Sequence, residues 1–243
     1  MKRVAIFLYG ITCYGLSVVT LLYGAGFIGN FAVPKSIDSP RDVPLATALA
    51  LDLALLLAFS LQHSIMARPA FKTWWTQIIP ETAERSTYML LSSVFLGALF
   101  WFWQPMGITI WRVTAPAAVY VLYGLYGIGW ALLFYSTFLI NHFDLFGLRQ
   151  VWLQLVGRGN TTLPFRTPWL YRRVRHPLYV GWLTLIWSAP TMTLAHLVFA
   201  LATTIYILVA IRFEERDLAA AHPEYHDYRR RVPMLIPSLR GPR

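Results

Sequence analysis

This chain has little charge, a single cysteine and none of the glycine-rich phosphate or dinucleotide loops. Only 13% of its 243 residues are Asp, Glu, Lys or Arg, about half the share found in soluble domains. Those charges are clustered, so long uncharged runs remain. An ordinary soluble globular domain is thereby excluded. A composition that is 57% hydrophobic with 10 tryptophans fits a polytopic all-α membrane bundle, read here as one domain over 1–243. The one cysteine, Cys13, lies inside the first apolar run, which excludes an intrachain disulfide and a Cys-x-x-Cys redox pair. His, Cys and carboxylates lack zinc-ligand spacing, so no metal is expected. No internal repeat or low-complexity segment is present.

What charge there is carries information by its placement. The formal net charge is +10, but the basic residues fall between and after apolar runs, where lipid headgroups and the positive-inside rule put them. Membrane lipid, not nucleic acid, is the expected partner. Lys2-Arg3 before an apolar stretch imitates a signal peptide, yet the run over 4–28 is long for one and lacks a small-residue cleavage site.

Crossing the hydrocarbon core takes about 20 apolar residues. Runs at 4–28, 43–66, 88–103 and 113–140 predict four crossings, the third extended to 86–104. The run 178–211 is too long for one crossing and contains Pro190, which removes a backbone hydrogen bond and clashes with the preceding turn. It predicts a helical hairpin, 178–189 and 193–211, bent at Pro190 and followed by a cytoplasmic tail. With the N-terminus inside, cytoplasmic segments hold Lys2, Arg3, Arg68, Lys72, Arg85, six arginines from 149 to 175 and seven from Arg212 onward. The other side receives only Lys35, Arg41 and Arg112. This bias places segments 141–177 and 212–243 in the cytoplasm.

Polar chemistry gathers in those same segments. Arg175-His176-Pro177-Leu178-Tyr179-Val180-Gly181 is followed by Glu214-Glu215, then Tyr225, Tyr228 and Val232-Pro233. Pro177 biases His176 toward an extended backbone and suits the first helical position. A helix N-terminus there offers free N–H groups to an anion, and Gly181 permits close approach. Without more, these features describe a proline-started helix among headgroup arginines. The full pattern, however, resembles the signature of the integral-membrane methyltransferase superfamily that includes isoprenylcysteine carboxyl and phospholipid methyltransferases. The run Asn141-His142-Phe143-Asp144-Leu145-Phe146-Gly147-Leu148-Arg149-Gln150 and the segment Gln62-His63-Ser64-Ile65-Met66-Ala67-Arg68 resemble, within it, the branch of bacterial methanethiol S-methyltransferases and their NnrU-like relatives.

The resemblance implies S-adenosylmethionine as cofactor, bound around Arg175, His176, Pro177, Tyr179, Gly181, Glu214, Glu215, Tyr225 and Tyr228. One of the two glutamates would accept hydrogen bonds from the ribose hydroxyls or the cofactor ammonium. The phenols would cover adenine or ribose, or face the sulfonium. The ordinary alternative is glutamates paired with Arg212 and Arg216, and a lipid-facing basic tail. Methyl transfer to a small thiol needs the thiolate, so a base helps. His142 is the natural candidate, with Asp144 to orient it; Arg149 or a tyrosine could stabilise the thiolate instead. His63 and Gln150 would line the thiol pocket. Asp52, Phe59 and His63 share one face of the second helix, Asp52 in a structural role. The implied protein is a multi-pass protein of the bacterial inner membrane that methylates methanethiol to dimethyl sulfide on the cytoplasmic side. The alternatives are the same chemistry on hydrogen sulfide, an isoprenylcysteine carboxylate or a phospholipid amine, or a non-enzymatic NnrU-like membrane protein.

Overall fold

Where water is absent, backbone N–H and C=O groups must pair within their own segment, so apolar runs become helices. The computed structural model describes residues 1–40, 42–161 and 163–238. Arg41, Arg240 and Arg243, part of the charge bias above, lie outside the described residues. Among the described residues, four helices are long and apolar enough to cross a membrane: α1 (Lys2–Gly29), α2 (Leu45–Ala67), α5 (Pro116–Ile140) and α9 (Leu194–Ala221). The protein is therefore an all-α polytopic membrane protein. The expected set differs in one member. The third run became α4 (Glu81–Phe102), comparable in length but diluted by Glu81 and Glu84 in its first turn and by serines within it.

The hairpin also differs in detail. Its first arm, α8 (Pro177–Trp187), stops short of Pro190, and Thr191–Thr193 forms strand β2, paired antiparallel with β1 (Thr109–Arg112). Neither strand was expected. The second arm, α9, runs ten residues beyond the predicted end because Arg, Glu, Leu and Ala sustain a helix until Pro223 forbids it. Shorter helices complete the chain: α3 (Pro69–Trp75), α6 (His142–Leu145), α7 (Leu148–Leu155), the 3₁₀ turn η1 (Trp169–Arg172) and α10 (Tyr225–Arg231).

The chain divides into two compact units. The first comprises Met1–Arg112, Phe143–Thr161 and Thr191–Thr203. Here α1 and α2 both pack on α4, and α7 packs on α1. The serines of α4 explain its polarity: Ser93 and Ser17 hydroxyls lie 2.9 Å apart, and Tyr9 and Thr87 likewise. Small polar residues let membrane helices approach closely and bond to one another. Asp52 is fully buried and accepts the Gln104 N–H at 2.8 Å, the structural role its place on the inner face predicts.

The second unit comprises Val113–His142, Thr162–Pro190 and Thr204–Arg243. It is built on the contact of α5 with α8, where two glycines face each other. A Cβ on Gly181 would stand 2.8 Å from Gly129 O and Leu133 N, and one on Gly129 would stand 2.7 Å from Leu185 N. Gly181 thus admits a neighbouring helix. Trp130 and Trp182 pack beside it with centroids 5.7 Å apart. Near the start of α5, Tyr120 and Tyr123 are exposed.

Candidate active site

Pro177 is the first residue of α8 and His176 its N-cap, with φ −127° and ψ 63°. No side chain caps that end, so its N–H groups stay available. Arg175 and His176 are stitched to the tail by backbone bonds, Arg175 N–H to Pro233 O at 2.9 Å and His176 N–H to Met234 O at 3.2 Å. The Arg175 guanidinium continues the clamp, donating from Nη1 to Val232 O at 2.6 Å and to Arg229 O at 3.0 Å.

The two glutamates point different ways, as adjacent residues on a helix must. Glu215 is buried. Its Oε1 accepts Arg175 Nε at 2.6 Å and His176 Nε2 at 3.1 Å, and its Oε2 lies 3.2 Å from Arg229 Nε. Glu214 is 42% exposed at its side chain. Its Oε2 accepts the Tyr179 hydroxyl at 3.0 Å and lies 3.8 Å from His176 Nδ1, whereas Oε1 has no partner among the described residues.

Tyr225 and Tyr228 are both buried and sit against Phe165, with centroids 5.7 and 5.5 Å from it. Tyr228 donates to Tyr171 O at 2.6 Å. The Tyr225 hydroxyl is buried with no hydrogen-bond partner among the described residues. Burial, reinforced at Tyr225 and Tyr228 by Glu215, and at Tyr171 by Glu214, pushes these three phenols well above their ordinary pKa. They remain neutral donors. Phe165, Tyr171 and Arg229 were not singled out in the sequence; only their proximity to the tail motif could have suggested Arg229.

His142 follows Asn141, the C-cap of α5, which ends at Ile140. The chain turns back so that the imidazole stacks on Phe138, with centroids 4.1 Å apart and planes 4° from parallel. Its Nδ1 lies 2.8 Å from Thr137 Oγ1, and both residues are buried. Burial lowers the imidazole pKa. The second unit thus brings together Arg175, His176, Pro177, Tyr179, Glu214, Glu215, Tyr225 and Tyr228, and also contains His142.

The remaining expected residues belong to the first unit. Asp144 pairs with Arg149 at 3.0 Å, and Arg149 also donates to Thr161 O at 2.9 Å. Gln150 Nε2 reaches Asp144 O at 3.2 Å. Gly147, at φ 86°, caps α7 against Ser86, a conformation and a closeness that only glycine tolerates. His63 stacks on Phe59 and is held between Ser92, 3.0 Å from Nδ1, and the Tyr88 hydroxyl, 2.9 Å from Nε2. Among the described residues no group of three or more His, Cys, Asp or Glu could hold a metal ion.

Comparison with known proteins finds whole-length relatives. The chain is 55% identical to methanethiol S-methyltransferase of Crocosphaera subtropica over 98% of its own length and 94% of that protein's. It is 51% identical to methanethiol S-methyltransferase 2 of Bradyrhizobium diazoefficiens over 98% and 92%. Nurim of Rattus norvegicus is 32% identical over 73% of this chain and 71% of its own. No family profile and no solved structure matches. Similarity at this level over nearly the whole chain leaves one conclusion: the chain belongs to the methanethiol S-methyltransferase family of membrane methyltransferases.

Proposed function

We propose that the protein transfers the methyl group of S-adenosylmethionine to methanethiol, giving dimethyl sulfide, at the cytoplasmic face of a bacterial inner membrane. The observation that carries this reading is the environment of Glu214. It is a half-exposed carboxylate with one uncommitted oxygen, next to a neighbour whose two oxygens are already taken. A carboxylate beside a membrane is costly unless it has a partner. The methyl donor supplies one in its ammonium or ribose hydroxyls.

The residues present fit that cofactor. The Tyr225 hydroxyl is a buried donor without an acceptor among the described residues, an arrangement that costs about 1–3 kcal/mol unless a ligand satisfies it. The uncapped N-terminus of α8 suits a carboxylate. Phe165, Tyr225 and Tyr228 form an aromatic box that excludes water and can lie against a nucleoside or a sulfonium. Glu215 binds nothing itself in this reading; it holds Arg175, His176 and Arg229 in place. The bound cofactor supplies an electrophilic methyl group on sulfur.

The protein must supply the thiolate, since sulfur's nucleophilicity resides there. His142, kept neutral by burial, takes the thiol proton. The positive-inside bias supports the cytoplasmic face. The test uses protein purified in detergent. Calorimetry should show binding of S-adenosylmethionine, and headspace analysis after adding methanethiol should show dimethyl sulfide. Methylation of isoprenylcysteine or phosphatidylethanolamine with methanethiol inert would overturn the acceptor. Folded protein that binds no S-adenosylmethionine would overturn the whole reading.

A further inference from the structure

We propose that Trp169, Arg172 and Arg173 form a docking site for an anionic phospholipid, on the turn that walls the proposed cofactor pocket. On α5, a helix long and apolar enough to cross a membrane, Val121, Leu125, Ile128 and Tyr135 are exposed. Their spacing puts them within one sector of about 80° on the helix surface, a stripe that faces lipid. Tyr135 is the last of them, about one and a half turns from the end of the helix. Trp169 stands against it, with ring centroids 6.3 Å apart and planes at 75°, and is itself 65% exposed. Tryptophan and tyrosine side by side at the end of such a stripe suit the headgroup level, where an apolar ring body meets lipid and its polar edge meets water.

The charge beside them has one sign. Arg172 ends η1 and Arg173 is its C-cap; both are exposed. Arg172 donates Nε to Thr167 O at 3.2 Å, and among the described residues neither guanidinium makes an ion pair. The segment 163–174 holds Arg166, Arg172 and Arg173 and no Asp or Glu. Guanidinium N–H groups bind phosphate in pairs. Two of them beside an indole match a phosphodiester headgroup whose chains run along the α5 stripe. A zwitterionic lipid brings its own ammonium, which opposes the arginines, so the fit is to a net negative headgroup. The same turn reaches the pocket. Tyr171 O accepts the Tyr228 hydroxyl at 2.6 Å, Phe165 packs on Tyr225 and Tyr228, and Arg175 and His176 follow within the next few residues. Lipid seated here restrains η1 and so tightens S-adenosylmethionine binding. That second effect rests on the proposed function; the lipid site does not.

Native mass spectrometry of detergent-solubilised protein titrated with phosphatidylglycerol or phosphatidylcholine tests the site. Wild type should prefer phosphatidylglycerol. The double variant Arg172→Gln/Arg173→Gln should need about thirtyfold more of it for the same occupancy, the combined worth of two arginines at a lipid surface. Arg230→Gln/Arg231→Gln removes equal charge from exposed positions on α10 and should titrate like wild type. Equal losses in the two double variants, or no preference between the lipids in wild type, would overturn the site. Displacement of the lipid by soluble glycerol phosphate would overturn phospholipid as the occupant. In nanodiscs, calorimetry should show S-adenosylmethionine binding to wild type several times more tightly with phosphatidylglycerol than with phosphatidylcholine, and equally in both for the Arg172/Arg173 double variant. Equal affinity in wild type overturns the coupling through η1. Folded protein that binds no S-adenosylmethionine in either lipid counts against the proposed function instead, and the lipid titration still decides the site.

Discussion

The loop at 175–177 and the histidine at 142 belong to the same unit but are held by different physics. Around Glu215 the cement is charge: two guanidiniums, an imidazole and a carboxylate, with backbone bonds to the tail. Around His142 it is an aromatic stack and a neutral hydroxyl. A binding site for a zwitterionic cofactor gains from fixed charge, which orients the ligand. A base gains from its absence, because a carboxylate beside His142 would favour the imidazolium and remove the free lone pair needed at neutral pH. On the proposed function, ligand capture and proton removal would be kept apart within a single unit.

The largest effect should come at the uncharged end. His142→Ala should lower methanethiol turnover by roughly 10²–10⁴-fold, leave S-adenosylmethionine affinity nearly constant, and recover partly as pH rises and more thiol ionises unaided. In the wild type, burial lowers the His142 pKa, so the acid limb of the kcat profile should lie below the ordinary histidine value of about 6.5. The same shift has a stability sign. Below that value the unfolded chain binds the proton that the folded chain refuses, so this contribution is complete above it and is lost as pH falls. An acid limb above 6.5 would break the comparison.

Removing the charged cement should act on the fold first. Glu215→Ala leaves Arg175, His176 and Arg229 facing one another without their carboxylate, and breaking a buried pair costs about 3–5 kcal/mol. Thermal unfolding in detergent should show a clear drop and cofactor binding should disappear with it. An unchanged midpoint would mean that the tail holds the loop unaided. Glu214→Gln should have the smallest effect: the same unfolding midpoint, because that carboxylate is half exposed, and about tenfold weaker S-adenosylmethionine binding by calorimetry. Equal stability losses at 214 and 215 would erase the distinction between them.

How much of this could be read from the sequence depends on the distance over which each feature is decided. The apolar runs became helices, Pro177 starts α8, and Asp52 faces inward, because each follows from spacing or from one residue's chemistry. The choice between Glu214 and Glu215 was not legible. They stand about 100° apart on α9, so one must face inward, but the phase depends on where Arg175, 40 residues away, comes to rest. Phe165 and Arg229 escaped for the same reason. Thr137 escaped although it is only five residues from His142, since the turn at Asn141 that folds the ring back over α5 leaves no period in the sequence. The two short strands were hidden because their pairing joins segments some 80 residues apart.

The backbone bonds from Arg175 and His176 to Pro233 and Met234 also impose an order of assembly. A chain leaves the ribosome from its N-terminus, and α5 and α8 can meet as soon as both have emerged. The loop between them and the tail cannot close at that stage, because the carbonyls that complete it, at Pro233 and Met234, are made only after α9. During synthesis the protein therefore passes through a form with its helices assembled and its charged pocket open, vulnerable to proteases that a finished molecule would resist.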